Sequence, residues 1–221
     1  MNAHTPIAGK RGTGDDRRAA IAQAARSLIV EKGVEGLRTR DIADRVGINI
    51  ATLHYHVPSK EALIELVADS LVDIFKGQTI ARPRAHLSAR ERMDLEFVDF
   101  REIALEKPEV MLVFSELIER GRRDERIAAA ILPMKRRWKQ IIADLLSEGV
   151  SEGVYRPDLD PQAFAKIMMA SFIGFCRNPT NDAAAFDGLI AELQRAIRNP
   201  AGDLSKQGKP ARHTRTRISQ E

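Results

Sequence analysis

The sequence predicts an all-α protein of about nine helices, a three-helix N-terminal head followed by a larger helical domain. Three observations predict it. Apolar residues recur at helical spacing along most of the 221 residues, residues that cap or stop helices bracket those runs, and no alternating stretch is long enough for a useful strand. No internal repeat is visible.

The first helix spans residues 16–32, with Ile21, Ala24, Ala25, Leu28 and Ile29 on one face and Gly33 ending it. Thr39 is placed to cap a second, short helix whose inner side is Ile42, Ala43 and Val46, and Gly47 ends it where a left-handed residue is wanted. Ile48 is an apolar plug. Asn49 caps a third helix in which Leu53 points inward and Val57 closes the far end. Pro58 stops that helix, and Ser59 caps the next, over 59–76, with Leu63, Ile64, Val67, Leu71, Ile74 and Phe75 inside and Gly77 at its end. Residues 77–87, rich in Gly, Pro and Arg, read as a connector. Ser88 and Glu91 form a capping box for a helix to residue 106. Pro108 opens a helix that Gly121 closes, 124–148 is a long helix bent at Pro133, 160–177 follows, and 181–198 is the last. The domain boundaries expected are an N-terminal arm over 1–14, a head over 15–76, a helical domain over 77–199, and a basic tail over 200–221. Arm and tail are polar enough to be disordered.

Within the head, residues 39–60 read as a helix-turn-helix, a hairpin whose second helix lies in the major groove of DNA. With Leu53 inward, Ile50, Ala51, Thr52, His54, Tyr55 and His56 are left outside. Ala51 and Thr52 allow close approach to base edges, while His54, Tyr55, His56, Thr39, Arg40 and Lys60 offer donors to phosphate oxygens. A solvated helical hairpin would have the same turn, but three exposed rings need a use. Charge is distributed accordingly. Residues 1–60 carry 10 Lys+Arg against 6 Asp+Glu, 61–199 carry 20 against 23, and 200–221 carry 5 against 2. The tail residues Lys206, Lys209, Arg212, Arg215 and Arg217 add phosphate attraction or are simply solvated.

Composition excludes several classes. There is no apolar run long enough to span a membrane and no secretory signal pattern, and the single cysteine, Cys176, fits a reducing cytoplasm. No phosphate loop, nucleophile elbow or acid/base pair is present, so no catalytic residue, cofactor or metal is expected. His54 and His56, two apart on a helix, face different ways and do not form a metal pair.

The segment resembles the N-terminal DNA-binding domain of the TetR family of bacterial transcription regulators. The resemblance rests on Gly47-Ile48-Asn49, Thr52-Leu53-His54-Tyr55-His56 and Ser59-Lys60-Glu61-Ala62-Leu63, with residues 17–33 as the first helix, and it covers residues 15–76. Two positions depart from the family pattern. His54 stands where tyrosine is usual, which makes phosphate contact sensitive to protonation, and Val57 stands where phenylalanine is frequent.

The resemblance implies a homodimer on operator DNA, released by a small-molecule effector, with repression the expected sign. It places dimerisation on the last two helices, at Phe164, Ile167, Ser171, Gly174 and Phe175 of one and Phe186, Leu189, Ile190, Leu193 and Ile197 of the other. Small residues between them permit close helix approach. A mostly hydrophobic effector would sit among Met93, Phe97, Phe100, Met111, Phe114, Met134, Trp138, Ile142, Met168 and Phe172, which are also what a helical core contains. Two other classes fit the same chain: an effector-independent DNA-architectural protein, and a helical small-molecule-binding protein or enzyme.

Overall fold

A computed structural model describes residues 14–200, which form the nine helices α1 (Gly14–Lys32), α2 (Thr39–Val46), α3 (Ile50–His56), α4 (Lys60–Ala81), α5 (Ala89–Glu106), α6 (Pro108–Gly121), α7 (Glu125–Ser151), α8 (Pro161–Arg177) and α9 (Ala183–Ile197). Gly14, expected in the arm, already belongs to α1; the remaining arm residues 1–13 and tail residues 201–221 lie outside the described residues. Among the described residues the only extended pairing is an isolated bridge between Tyr155 and Arg198.

Helix ends follow the local chemistry. Ser88 Oγ accepts from Glu91 N–H while Glu91 Oε2 accepts from Ser88 N–H, so the capping box is complete. Asp124, Asp160 and Asp182 cap α7, α8 and α9 with their carboxylates. Two expectations need correction. Thr39 does not cap α2: Arg38 holds the cap position, without a side-chain bond, and Thr39 is the first helical residue. Gly77 does not end α4, which continues to Ala81. Buried Gln78 explains the extra turn, because its amide Nε2 donates to the Asp99 carbonyl at 2.9 Å and ties that part of α4 to α5. Therefore α4 runs from the head into the larger domain. Helix α7 continues through Pro133.

The head packs on the larger domain through α4 and through α1 against α6. Arg126 of α7 pairs with Glu61 at the start of α4 at 2.5 Å, and Arg120 of α6 pairs with Glu35. Behind the head, an aromatic stack runs through the core: Phe100 lies 4.0 Å from Phe172 and 4.9 Å from Trp138, ring centroid to centroid, and Phe114 meets Trp138 edge-on.

The connector after α4 is fixed by charge. Asp99, nearly buried, accepts from Arg82 and from Arg84, and Glu96 accepts from Arg84 at 2.6 Å. Glu102 accepts from Lys107 at 2.8 Å and from Arg82 at 2.7 Å, and these bonds, Lys107 first, hold its carboxyl down to about 2. A carboxylate with a depressed folded-state pKa contributes stability that is present above its ordinary value and lost as pH falls toward 2. Glu102→Gln should remove that part of the acid sensitivity. The check is urea unfolding at steps between pH 5 and 2.5, where the gap between parent and variant should narrow as pH falls.

Candidate nucleic-acid interface and ligand cleft

The hairpin from α2 to α3 is built by its turn. Gly47 has φ 71° and ψ 37°, a left-handed conformation that costs glycine little. In that conformation Gly47 N–H donates to the Asp44 carbonyl at 3.2 Å and Ile48 N–H to the Ala43 carbonyl at 3.0 Å, the two bonds of a Schellman stop. Asn49 Oδ1 then accepts from Thr52 N–H at 2.7 Å and starts α3. Leu53, fully buried, is the one α3 side chain in the core, and Arg18 of α1 donates to the His56 carbonyl at 3.0 Å, fixing the far end. Lys32–Asp41 at 2.7 Å and a two-bond Arg45–Glu31 pair fasten α1 to α2 at the surface.

With α3 held this way, its outer face is free. Tyr55 is 84% exposed, its ring edge-on to His56 at 5.2 Å, and Ile50 is 43% exposed. Ala51, His54, Arg40 and Lys60 are exposed, and Thr39, Thr52 and His56 half-buried. All nine expected DNA-facing residues are thus exposed or half-buried, and none belongs to the core. Sequence reasoning missed Arg18, whose part is to hold α3 and which no motif marks.

The expected dimer residues divide into three groups. Phe164, Phe175, Phe186, Leu193 and Ile197 are taken up by the chain's own core, Phe186 stacked on Phe172 and edge-on to Phe175, so they are not an open interface. Ile190 lines a cleft. What α8 presents outward is Ile167, 51% exposed, with Ala163, Ala170 and Gly174, while Ser171 is half-buried beside it. On α9 the corresponding face carries Ala185, Gly188, Glu192 and Ala196 beside half-buried Leu189. The apolar stripe on these helices satisfies the intramolecular core. Ser171 and Gly174, expected at the interface among small residues that permit close approach, lie on or beside this outward stripe, which continues through Ala163 and Ala170 and has its counterpart on α9.

The expected effector residues are likewise mostly core. Phe100, Met111, Phe114, Trp138, Ile142, Met168 and Phe172 are buried among one another, and Met134 is half-buried against them. Only Met93 and Phe97 of the ten line a cleft of about 700 Å3 between α5 and α9. Val154 and Tyr155, which follow the turn at Gly153 (φ 71°), line it as well. Gly153 and Ala196 carbonyls accept from the Asn199 and Arg156 side chains, and Arg156 N–H donates to the Ile197 carbonyl at 3.0 Å. Tyr155 then packs closely against Gly149, where a Cβ would stand 2.2 Å from its ring. Burial pushes the Cys176 thiol up to about 11, so it stays protonated at neutral pH. No helix among the described residues is long and apolar enough to cross a membrane.

Comparison with known proteins gives the same picture from a second direction. Residues 21–67 match the family described as bacterial regulatory proteins, tetR family. The chain is 26% identical over 156 residues to the HTH-type transcriptional repressor KstR2 of Mycolicibacterium smegmatis, covering 65% of this chain and 70% of that one. In three dimensions it is similar to a TetR-family transcriptional regulator from Agrobacterium tumefaciens (TM-score 0.73, 20% identity, 84% of this chain and 100% of that one). It is also similar to AibR, solved in complex with isovaleryl coenzyme A and operator DNA (TM-score 0.68, 21% identity, 82% and 99%).

Proposed function

Because this chain belongs to the TetR family of bacterial transcription regulators, we propose that it is a repressor whose homodimer binds a palindromic operator and lets go when the larger domain takes up a small effector. The observation that carries the DNA half is the outer face of α3. A helix of seven residues, held by a Schellman turn, an Asn49 cap and the Arg18 bond, leaves Tyr55 84% exposed, its ring meeting only His56 among the described residues. An exposed aromatic and histidine surface on the second helix of such a hairpin suits a DNA groove better than it suits water.

Within that reading, Ile50, Ala51 and Thr52 lie nearest the base edges at the start of α3, and Thr39, Arg40, His54, Tyr55, His56 and Lys60 meet phosphates or flanking bases. Two subunits place their recognition helices about 34–36 Å apart or a small multiple of that, one turn of B-DNA. Helix α4 is the mechanical link. It begins beside α3, is tied to α7 by Glu61–Arg126, and ends tied to α5 by Gln78. An effector that binds more tightly to one arrangement of α5 to α9 therefore shifts the head spacing through α4, and one with equal affinity for both arrangements shifts nothing. The setting is the cytoplasm, where the operator is.

A gel-shift series against the DNA upstream of its own coding sequence tests this, with and without excess competitor. A discrete complex that survives competitor and protects two symmetric half-sites is expected. Smooth, salt-dominated binding without sequence preference would mean an architectural protein instead, and no shift at all would mean that the head does not work on DNA.

A further inference from the structure

The cleft between α5 and α9 has the volume of a small-molecule site, and its two walls differ in chemistry. Its floor is apolar: Met93 and Phe97 from α5, Phe186 and Ile197 from α9, all at most 5% exposed. Its rim is basic, with Arg90, Arg101, Arg195 and Arg198 against Asp94 and Asp187. Both aspartates already have partners: Asp187 accepts from Arg101 at 3.0 Å, and Asp94 accepts from Gln194 at 3.2 Å. Arg195 is held by Glu192, just outside the cleft. Arg90 makes no ion pair among the described residues. A further polar group sits lower. Tyr155 is only 5% exposed, lines the cleft, and has no hydrogen-bond partner for its hydroxyl among the described residues. Burial first, and Asp94 second, push its phenol up to about 12, so at neutral pH it remains a donor.

We infer that the α5–α9 cleft binds an amphipathic anion, a hydrocarbon tail of medium length on the Met93–Phe97–Phe186–Ile197 floor with a carboxylate held by Arg90 and the Tyr155 hydroxyl. Charge decides the sign of the ligand. The lining carries four guanidinium groups against two carboxylates, and an anion supplies the acceptor that Arg90 and the Tyr155 hydroxyl do not find among the described residues. The apolar floor decides its other half, because a small inorganic anion would leave that floor wet. The cleft face of α9, with Asp187, Ala191 and Gln194, is opposite to the Ala185–Gly188–Glu192 face, so a subunit packed on the latter leaves the cleft open. From Phe97 the ring contacts continue through Phe172 and Phe100 to Trp138, the only tryptophan in the chain. Occupancy of the floor is therefore reported by intrinsic fluorescence. The inference rests on the repressor reading in one respect, that this anion is the releasing effector.

The experiment uses the full chain, with sodium decanoate below its micellar concentration as the probe and decyltrimethylammonium as the cation with the same tail. Calorimetry should find one decanoate per subunit, accompanied by a change in Trp138 emission, and at least tenfold weaker binding of the cation. Arg90→Gln and Tyr155→Phe should each weaken decanoate about tenfold, and Ala191→Trp, which fills the cleft from an exposed position, should abolish its binding while helicity is kept. Absence of decanoate binding, or equal binding by the Ala191→Trp protein, overturns the inference. A gel shift run in parallel separates the two readings. Operator binding that is intact and indifferent to bound decanoate removes its role as effector but leaves the cleft standing, while decanoate binding with no operator complex removes the repressor reading instead.

Discussion

Replacing Tyr55 by alanine should cost about 1–3 kcal/mol of operator affinity per subunit, roughly 10- to 100-fold each, with almost no change in stability. The two halves of that expectation come from one number. A side chain 84% exposed contributes little to the fold, so the melting temperature should move by no more than about 0.5 kcal/mol of stability allows. Thr52→Ala should act the same way. The residue is half-buried, but the α3 cap uses its backbone N–H, which alanine keeps. Leu53→Ala is the contrast. That side chain is fully buried between α3 and the rest of the head, so its removal leaves a cavity costing about 2–5 kcal/mol and takes DNA binding away by loosening the helix. Fluorescence anisotropy on the operator, beside thermal melts of the same preparations, reads both quantities. Parent-like affinity in both Tyr55→Ala and Thr52→Ala would move the recognition surface off α3.

The features legible in the sequence are those fixed by neighbours in the chain. Gly47 and Asn49 set the hairpin through bonds spanning at most five residues, Ser88 and Glu91 complete a box three residues apart, and Pro161 opens α8 behind Asp160. Features set by distant residues were not legible. Gly77 looks like a helix end until Gln78, one residue on, is found holding the Asp99 carbonyl 21 positions away. Large apolar residues on α8 and α9 look like an interface until the core claims Phe164, Phe175, Phe186, Leu193 and Ile197. Tyr155 gives no local sign of lining a cleft, because its place depends on Gly149 beneath it and on the end of α9. Periodicity tells which face of a helix is apolar. It does not tell whether that face is spent within one chain or kept for a second.

For α8 and α9 the glycines point to a face kept for a second chain, and that reading gives the second large expected effect. A Cβ built at Gly174 or at Gly188 would meet, among the described residues, no atom within 4 Å beyond the backbone of its own helix turn and its chain neighbours. Glycine inside a helix costs about 0.8–1.0 kcal/mol relative to alanine, so nothing within one subunit explains it at either position. Gly77 in α4 is equally open, but it stands apart. Gly174 shares its face with Ala163, Ile167 and Ala170, and Gly188 shares its face with Ala185 and Ala196, which together make two smooth surfaces that let a second pair of helices approach closely. Gly174→Leu and Gly188→Leu should therefore raise or preserve the helicity of the isolated subunit while forcing the paired helices apart. Overpacking of about 1–3 kcal/mol at each contact is counted on both sides of a two-fold interface, enough to convert a dimer into monomers at micromolar concentration. Light scattering should show half the parent mass for the double variant, and operator affinity should fall further than for Tyr55→Ala, because a monomer reaches only one half-site. A double variant that stays dimeric and binds the operator normally would place the subunit contact elsewhere and leave both glycines without a role.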